Sequence, residues 1–100
     1  MKKNIDHLNV LRKIQKNPKY TQRQLADTLN LSLGKINYCL KALRQKGYIK
    51  IKNFNNQQNK LNYIYLLTPK GITEKTRLTI NFMKLKIQEY DELNKELNHE

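Results

Sequence analysis

Cysteine occurs once, at Cys39, so the chain can form no intramolecular disulfide and cannot build a thiolate metal cage alone. Tryptophan is absent, and proline is confined to Pro18 and Pro69, so no Pro-rich linker divides the chain. Gly34, Gly47 and Gly71 are too scattered for a phosphate-cradling loop. No apolar run approaches the roughly 18 residues that a membrane-spanning helix needs. Met1-Lys2-Lys3 is followed by no apolar signal core, so no export is expected and the expected compartment is cytoplasmic. The 100 residues suffice for one core of three or four helices, not for two independent cores.

Catalytic chemistry has little to draw on. His7 and His99 are far apart, and Asp6, Asp27 and Glu74 are isolated in the sequence. No nucleophile elbow and no metal-ligand pair at helical spacing occurs. No enzyme activity, cofactor or metal is therefore expected. Cys39 falls on the inner side of its helix and reads as core rather than as a redox sensor, which needs exposure.

Carboxylates are the most telling shortage. The chain has 20 Lys+Arg against 8 Asp+Glu, for a net charge of +12. Residues 1–86 hold 19 basic and 3 acidic side chains, while residues 87–100 hold 1 and 5. A strongly cationic body thus ends in an acidic tip. The 16 Lys, 13 Asn and 9 Ile fit an AT-rich coding sequence, but that bias does not explain the missing acids. A field of this sign attracts polyanions, nucleic acid first and anionic membrane second.

Residues 5–16 are predicted as a first helix, with Ile5, Leu8, Leu11 and Ile14 as its apolar stripe. Pro18 breaks it. Thr21 and Gln24 form a capping box for a second helix over 22–29, stapled by Tyr20 and Leu25 and burying Leu25, Ala26 and Leu29. Asn30 tolerates the left-handed conformation that ends a helix, and Ser32 is a suitable N-cap for a third, over 33–46. Ile36, Leu40 and Leu43, with Cys39, form the inner side of that helix, and Gly47 stops it. The period then changes to two in Tyr48–Lys52, residues 53–60 are a polar loop, and Leu61–Leu67 is a second strand. Thr68-Pro69 opens a long helix to about residue 97.

Two helices joined by a tight turn and followed by a hairpin predict a mainly α fold with a small β-hairpin, a winged helix-turn-helix. Because one side of the third helix is locked in the core, its other side faces solvent or a ligand. That side carries Gly34, Asn37, Tyr38, Lys41 and Gln45, flanked by Lys35, Ala42 and Arg44. Asn and Gln suit adenine edges, and Lys and Arg suit guanine or phosphate. Gly34 permits close approach of the backbone to a phosphate. Thr21, Arg23 and Ser32 lie at helix starts, where phosphates are favoured. In the candidate wing, Lys52 and Lys60 stand at the base and Asn55 and Asn56 near the tip, where amides can probe a minor groove. A solvated polar helix face and an ordinary polar loop are the plain alternatives.

The long helix carries Ile80, Met83, Ile87, Tyr90, Asn94 and Leu97 at heptad spacing, an a/d seam with Asn94 setting register. Leu78, Phe82 and Leu85 form a second stripe. A helix with two apolar sides needs two partners, its own domain and a second copy. The expected division is a DNA-binding unit over 5–68 and a dimerisation helix over 69–98, with a helix lying wholly across its own domain as the alternative.

The runs Thr21–Ala26, Asn30–Leu43, Gly47–Lys50 and Leu67–Ile72 resemble MarR-type winged-helix transcription regulators. The resemblance is strongest to the short branch associated with bacterial exopolysaccharide genes, through Ser32–Leu43, Asn59–Leu61 and Leu66–Ile72, and spans about residues 8–95. It implies a homodimer on double-stranded DNA, with Ser32, Lys35, Asn37, Tyr38 and Lys41 as contacts. The extended N-terminal helix and second C-terminal helix of larger MarR proteins have no counterpart in it, and no small-molecule effector is assigned. A sequence-indifferent architectural or replication-linked DNA binder, or a winged-helix protein-interaction adaptor, would use the same fold.

Overall fold

A computed structural model describes residues 2–55 and 61–99 of the chain. The elements are α1 (Lys2–Lys16), α2 (Gln22–Leu29), α3 (Leu33–Gln45), β1 (Ile49–Asn55), β2 (Leu61–Leu67) and α4 (Pro69–Asn98). The starts of α2, α3 and α4 are set by the residues expected to cap them. Thr21 Oγ1 accepts from the Gln24 backbone N–H at 3.1 Å while Gln24 Oε1 accepts from the Thr21 N–H at 2.8 Å. Ser32 Oγ accepts from the Lys35 N–H, and Thr68 Oγ1 from the Gly71 N–H, both at 3.0 Å. These bonds satisfy donors that a helix start leaves open.

The helix ends are equally local. Asn30 takes the left-handed conformation (φ 56°) at the end of α2, and the Leu31 N–H bonds back to the Ala26 carbonyl at 2.9 Å. After α3, Gly47 has φ 78°, with Gly47 N–H on Arg44 O and Tyr48 N–H on Leu43 O. This pair of bonds is a Schellman motif, which closes the helix on its own last carbonyls.

The core lies where α1, α2 and α3 meet beneath the hairpin and the first half of α4. Leu8, Leu11, Ile14, Leu25, Ala26, Ile36, Cys39, Leu40, Leu43, Ile49, Tyr65 and Leu78 are buried in it. Val10 and His7 are buried as well, although both lie off the apolar stripe read from the sequence. The reason is that α1 is covered by α2, α3, α4 and β2 together. Ile5 and Leu29, expected in the core, are half-buried at its margin.

The hairpin departs from expectation at its tip. Residues 53–60 were expected as loop, but Asn53, Phe54 and Asn55 pair with Tyr63, Asn62 and Leu61 in the antiparallel ladder. Backbone pairing between two strands needs no apolar side chain, so an Asn-rich segment extends it. Residues 56–60, including the candidate wing residues Asn56 and Lys60, lie outside the described residues, as does the side chain of Asn55.

Two backbone bonds hold the hairpin beside the segment between α1 and α2 and close its open end. The Tyr65 N–H donates to Pro18 O at 3.1 Å, and the Thr68 N–H to Tyr48 O at 3.0 Å. α4 then runs 30 residues, about 45 Å at 1.5 Å per residue. Its first half packs on the core through Leu78 and Phe82, and residues 83–99 are all exposed. The molecule is accordingly elongated, 65 × 26 × 20 Å.

Candidate nucleic-acid interface

α3 is held by Ile36, Cys39, Leu40 and Leu43, all buried at 3% exposure or less. A helix so anchored must turn its other side outward, and Gly34, Lys35, Asn37, Tyr38, Lys41, Arg44 and Gln45 are exposed there. No acidic residue occurs in α3. The structure therefore brings together every α3 residue predicted for the site, with Ala42 half-buried at its edge. Among the described residues, nothing apart from its chain neighbours and its own helix backbone lies within 4 Å of the position a Gly34 Cβ would take. The start of α3 is thus open to an approaching group, and its N-terminal partial charge favours an anion.

Thr21 and Arg23 are exposed at the start of α2, and Ser32 at the start of α3. The Thr21 and Ser32 oxygens accept backbone bonds. A hydroxyl that accepts can still donate, so both can serve a phosphate oxygen. Lys52 is exposed on β1, on the outer side of the hairpin.

An open groove of about 710 Å³ separates the hairpin from the helices, lined by Gln22, Arg44, Ile49, Lys50, Ile51, Tyr63 and Tyr65. Ile51 pairs with Tyr65, and Tyr63 lies two residues before Tyr65 on β2, which places these three side chains on the hairpin's inner face. Gln22, Lys50 and Tyr63 were not singled out in the sequence. Lys50 shares the alternation of Lys52 and could have been read from it.

Lys35 behaves differently from its neighbours on α3. Its Nζ lies 3.5 Å from Asp6 Oδ2 on α1. Among the described residues this is the ion pair that engages the outward side of α3. Lys41 and Arg44 form none with a described residue.

Behind the interface, a second polar cluster joins α4 to the body. Glu74 accepts two bonds of 2.7 Å from Arg77. This fork holds the Glu74 carboxyl below its ordinary pKa, against the opposing effect of burial, with Lys46 and His7 adding positive field. The Arg77 guanidinium is pushed up by the same bond. Lys75 also bonds to Gln15 of α1. Among the described residues, no group of three or more His, Cys, Asp or Glu could hold a metal ion. Among the described residues no helix is long and apolar enough to cross a membrane.

Residues 7–50 match the family model described as winged helix-turn-helix DNA-binding. The chain has the winged helix-turn-helix fold of MarR-type regulators. It is similar to a MarR-family transcription regulator of known structure at 19% identity, covering 95% of this chain and 69% of that one, with TM-score 0.65. A Staphylococcus aureus MepR variant is 21% identical over 99% of this chain and 70% of its own, with TM-score 0.67. Streptococcus pneumoniae FabT, solved in complex with DNA, is 27% identical over 92% of this chain, which spans 59% of FabT, with TM-score 0.56. No curated protein matches the chain by sequence.

The predicted seam residues of α4 all lie on the surface. Exposure runs from 47% at Ile80 through 56% at Met83 and 58% at Ile87 to 68% at Tyr90. Asn94 and Leu97 are exposed too. Of the second stripe, Leu78 is buried and Phe82 packs on the core, while Leu85 stays exposed.

Proposed function

We propose that the chain is a transcriptional regulator that reads double-stranded DNA as a homodimer. The observation that carries this reading is the outward side of α3. It presents amides, a phenol and cations, contains no carboxylate, and stands beside a hairpin. Groups of these types match base edges and phosphates along a major groove. Asn37, Tyr38, Lys41 and Gln45 are assigned to base edges. Thr21, Arg23, Ser32, Gly34, Lys35, Arg44, Lys52 and Lys60 are assigned to the phosphate backbone, and Asn55 and Asn56 to the minor groove beside it. The structures of FabT with DNA and of a MepR variant with an oligodeoxyribonucleotide support the DNA-binding reading by likeness of fold.

The dimer reading rests on the exposed half of α4. Helices of about 15 residues are marginal in water on their own. Residues 83–98 moreover expose Met83, Leu85, Ile87, Tyr90, Leu93 and Leu97. Burying a stripe of that size against a second copy is the reading the seam supports, with residues 69–98 as the dimerisation element. Two copies would set two α3 helices about 34–36 Å apart on successive major grooves. The resemblance of Ser32–Leu43 to the exopolysaccharide-associated branch makes polysaccharide genes the proposed targets.

The test is a duplex titration across salt concentrations with sedimentation of the free protein. A steep decline of log K with log salt, about −0.9 per neutralised phosphate, is expected. Sedimentation at twice the 12.0 kDa chain mass is expected at micromolar concentration. A slope near zero removes the DNA reading, and a purely monomeric protein removes the dimer.

A further inference from the structure

Asp6 stands in an unusual place for a carboxylate. It belongs to α1, yet its side chain, 18% exposed, reaches Lys35 on the first turn of α3 at 3.5 Å. The two residues border an open cleft of about 430 Å³ with Ile5, Asn30, Leu31 and Ser32. That cleft adjoins the start of α3, where Gly34 leaves open space and the helix N-terminus favours an anion. A phosphate arriving there meets a negative charge already present, and must draw Lys35 away from it.

The pair has little to do with folding. Lys35 is 43% exposed, and an ion pair at that exposure adds little stability. Its consequence is electrostatic and local. It neutralises one cation on a side of α3 that otherwise carries only positive charge, and it sits at the first turn of α3, where the helix N-terminus favours a phosphate.

We infer that Asp6 is a charge brake on the recognition helix: by holding Lys35 it lowers affinity for DNA of arbitrary sequence. This inference rests on the DNA-binding reading of α3 and adds an affinity-setting residue on α1, outside α2 and α3. Indiscriminate affinity is governed by the number of phosphates neutralised. A cation held by its own carboxylate counts for little in that number, and a base-reading contact is untouched by it. The brake therefore lowers affinity for every duplex by a similar factor, and with it the share of protein held on random DNA.

The experiment uses the full chain and a pool of random-sequence 25-base-pair duplexes, with thermal unfolding of each variant in parallel. Asp6→Asn is expected to leave the unfolding temperature nearly unchanged. It should raise affinity for the pool roughly five- to tenfold at about 0.1 M salt, and steepen the salt slope by about one. In a Lys35→Gln background, Asp6→Asn should give no such steepening, because the cation it releases is gone. Lys35→Gln alone should cost less pool affinity than Lys52→Gln, since Lys52 forms no ion pair with a described residue. An unchanged slope in Asp6→Asn, an equal gain in the Lys35→Gln background, or a Lys35→Gln loss matching that of Lys52→Gln would each overturn the brake. A wild-type chain that binds no duplex overturns the DNA reading and the brake together. A wild type that binds, with Asp6→Asn binding no better, overturns the brake alone.

Discussion

A Cβ on Gly71 would stand 1.9 Å from the carbonyl oxygen of Tyr48 and 2.8 Å from its carbonyl carbon. The backbone of α4 therefore lies directly on the chain segment that leaves α3. The same carbonyl accepts the Thr68 N–H at 3.0 Å, and Thr68 Oγ1 donates to Gly47 O at 2.6 Å. Lys70 Nζ lies 5.5 Å from the centre of the Tyr48 ring. The direction of α4 is fixed to the end of α3 by this joint. In a dimer built through α4, the joint sets how far apart the two α3 helices stand.

Gly71→Ala is the direct probe of the joint. The obstructing atoms are backbone, so relief requires the start of α4 to shift. A cost of about 1–3 kcal/mol is expected, toward the upper end. For a domain of this size that lowers the melting temperature by on the order of 10 °C. Calorimetry of the variant checks it, and an unchanged transition would contradict the close contact.

Asn37→Ala and Lys52→Ala should separate reading from attraction. Asn37 faces outward from the middle of α3, so its loss should cost about 1–3 kcal/mol on the preferred site and little on random DNA. Lys52 lies on the hairpin, so its loss should weaken all duplexes similarly and lower the salt slope by about one. Lys41→Ala should follow Asn37→Ala in reducing discrimination. Competition binding with selected and random duplexes measures all three. Equal losses on both duplexes for Asn37→Ala would remove it from the base readers.

Ile87→Glu places a charge at the middle of the exposed seam of α4. In the folded monomer Ile87 is 58% exposed, so monomer stability should change by less than about 0.5 kcal/mol. Sedimentation should shift to monomer, and affinity for a two-half-site operator should fall at least about tenfold. A variant that still sediments as a dimer would place the interface elsewhere.

The Glu74–Arg77 fork makes stability depend on acidity. The folded pKa of Glu74 is depressed below 4.5, so its contribution is present above that value and is lost as pH falls through the folded pKa. Glu74→Gln should therefore flatten the acid side of the stability profile below about pH 4.5 and leave the neutral-to-basic side with the same shape. Urea midpoints measured across pH provide the comparison, and parallel acid limbs in both proteins would contradict the depressed pKa.

Much of the fold was legible because its signals are local. Thr21 with Gln24, Ser32, and Thr68 before Pro69 act within one helical turn, and Asn30 and Gly47 act at single residues. The inward and outward sides of α3 were legible for the same reason, since one helix period fixes both. Contacts between distant segments were not. Nothing near Asp6 announces Lys35, and nothing near Gly71 announces the Tyr48 carbonyl. Val10 and His7 read as off-stripe because burial of α1 depends on α4, which the local period cannot register. The strand extension to Asn55 was hidden because backbone pairing leaves no mark in a run of asparagines.

The central claim, that the outward side of α3 lies along duplex edges, is tested most directly by mapping backbone amide signals of the full chain during titration with duplex DNA. The account predicts the largest changes across residues 34–45, with smaller ones at Thr21, Arg23 and Lys52. Binding that moves signals elsewhere while residues 34–45 stay in place would contradict it.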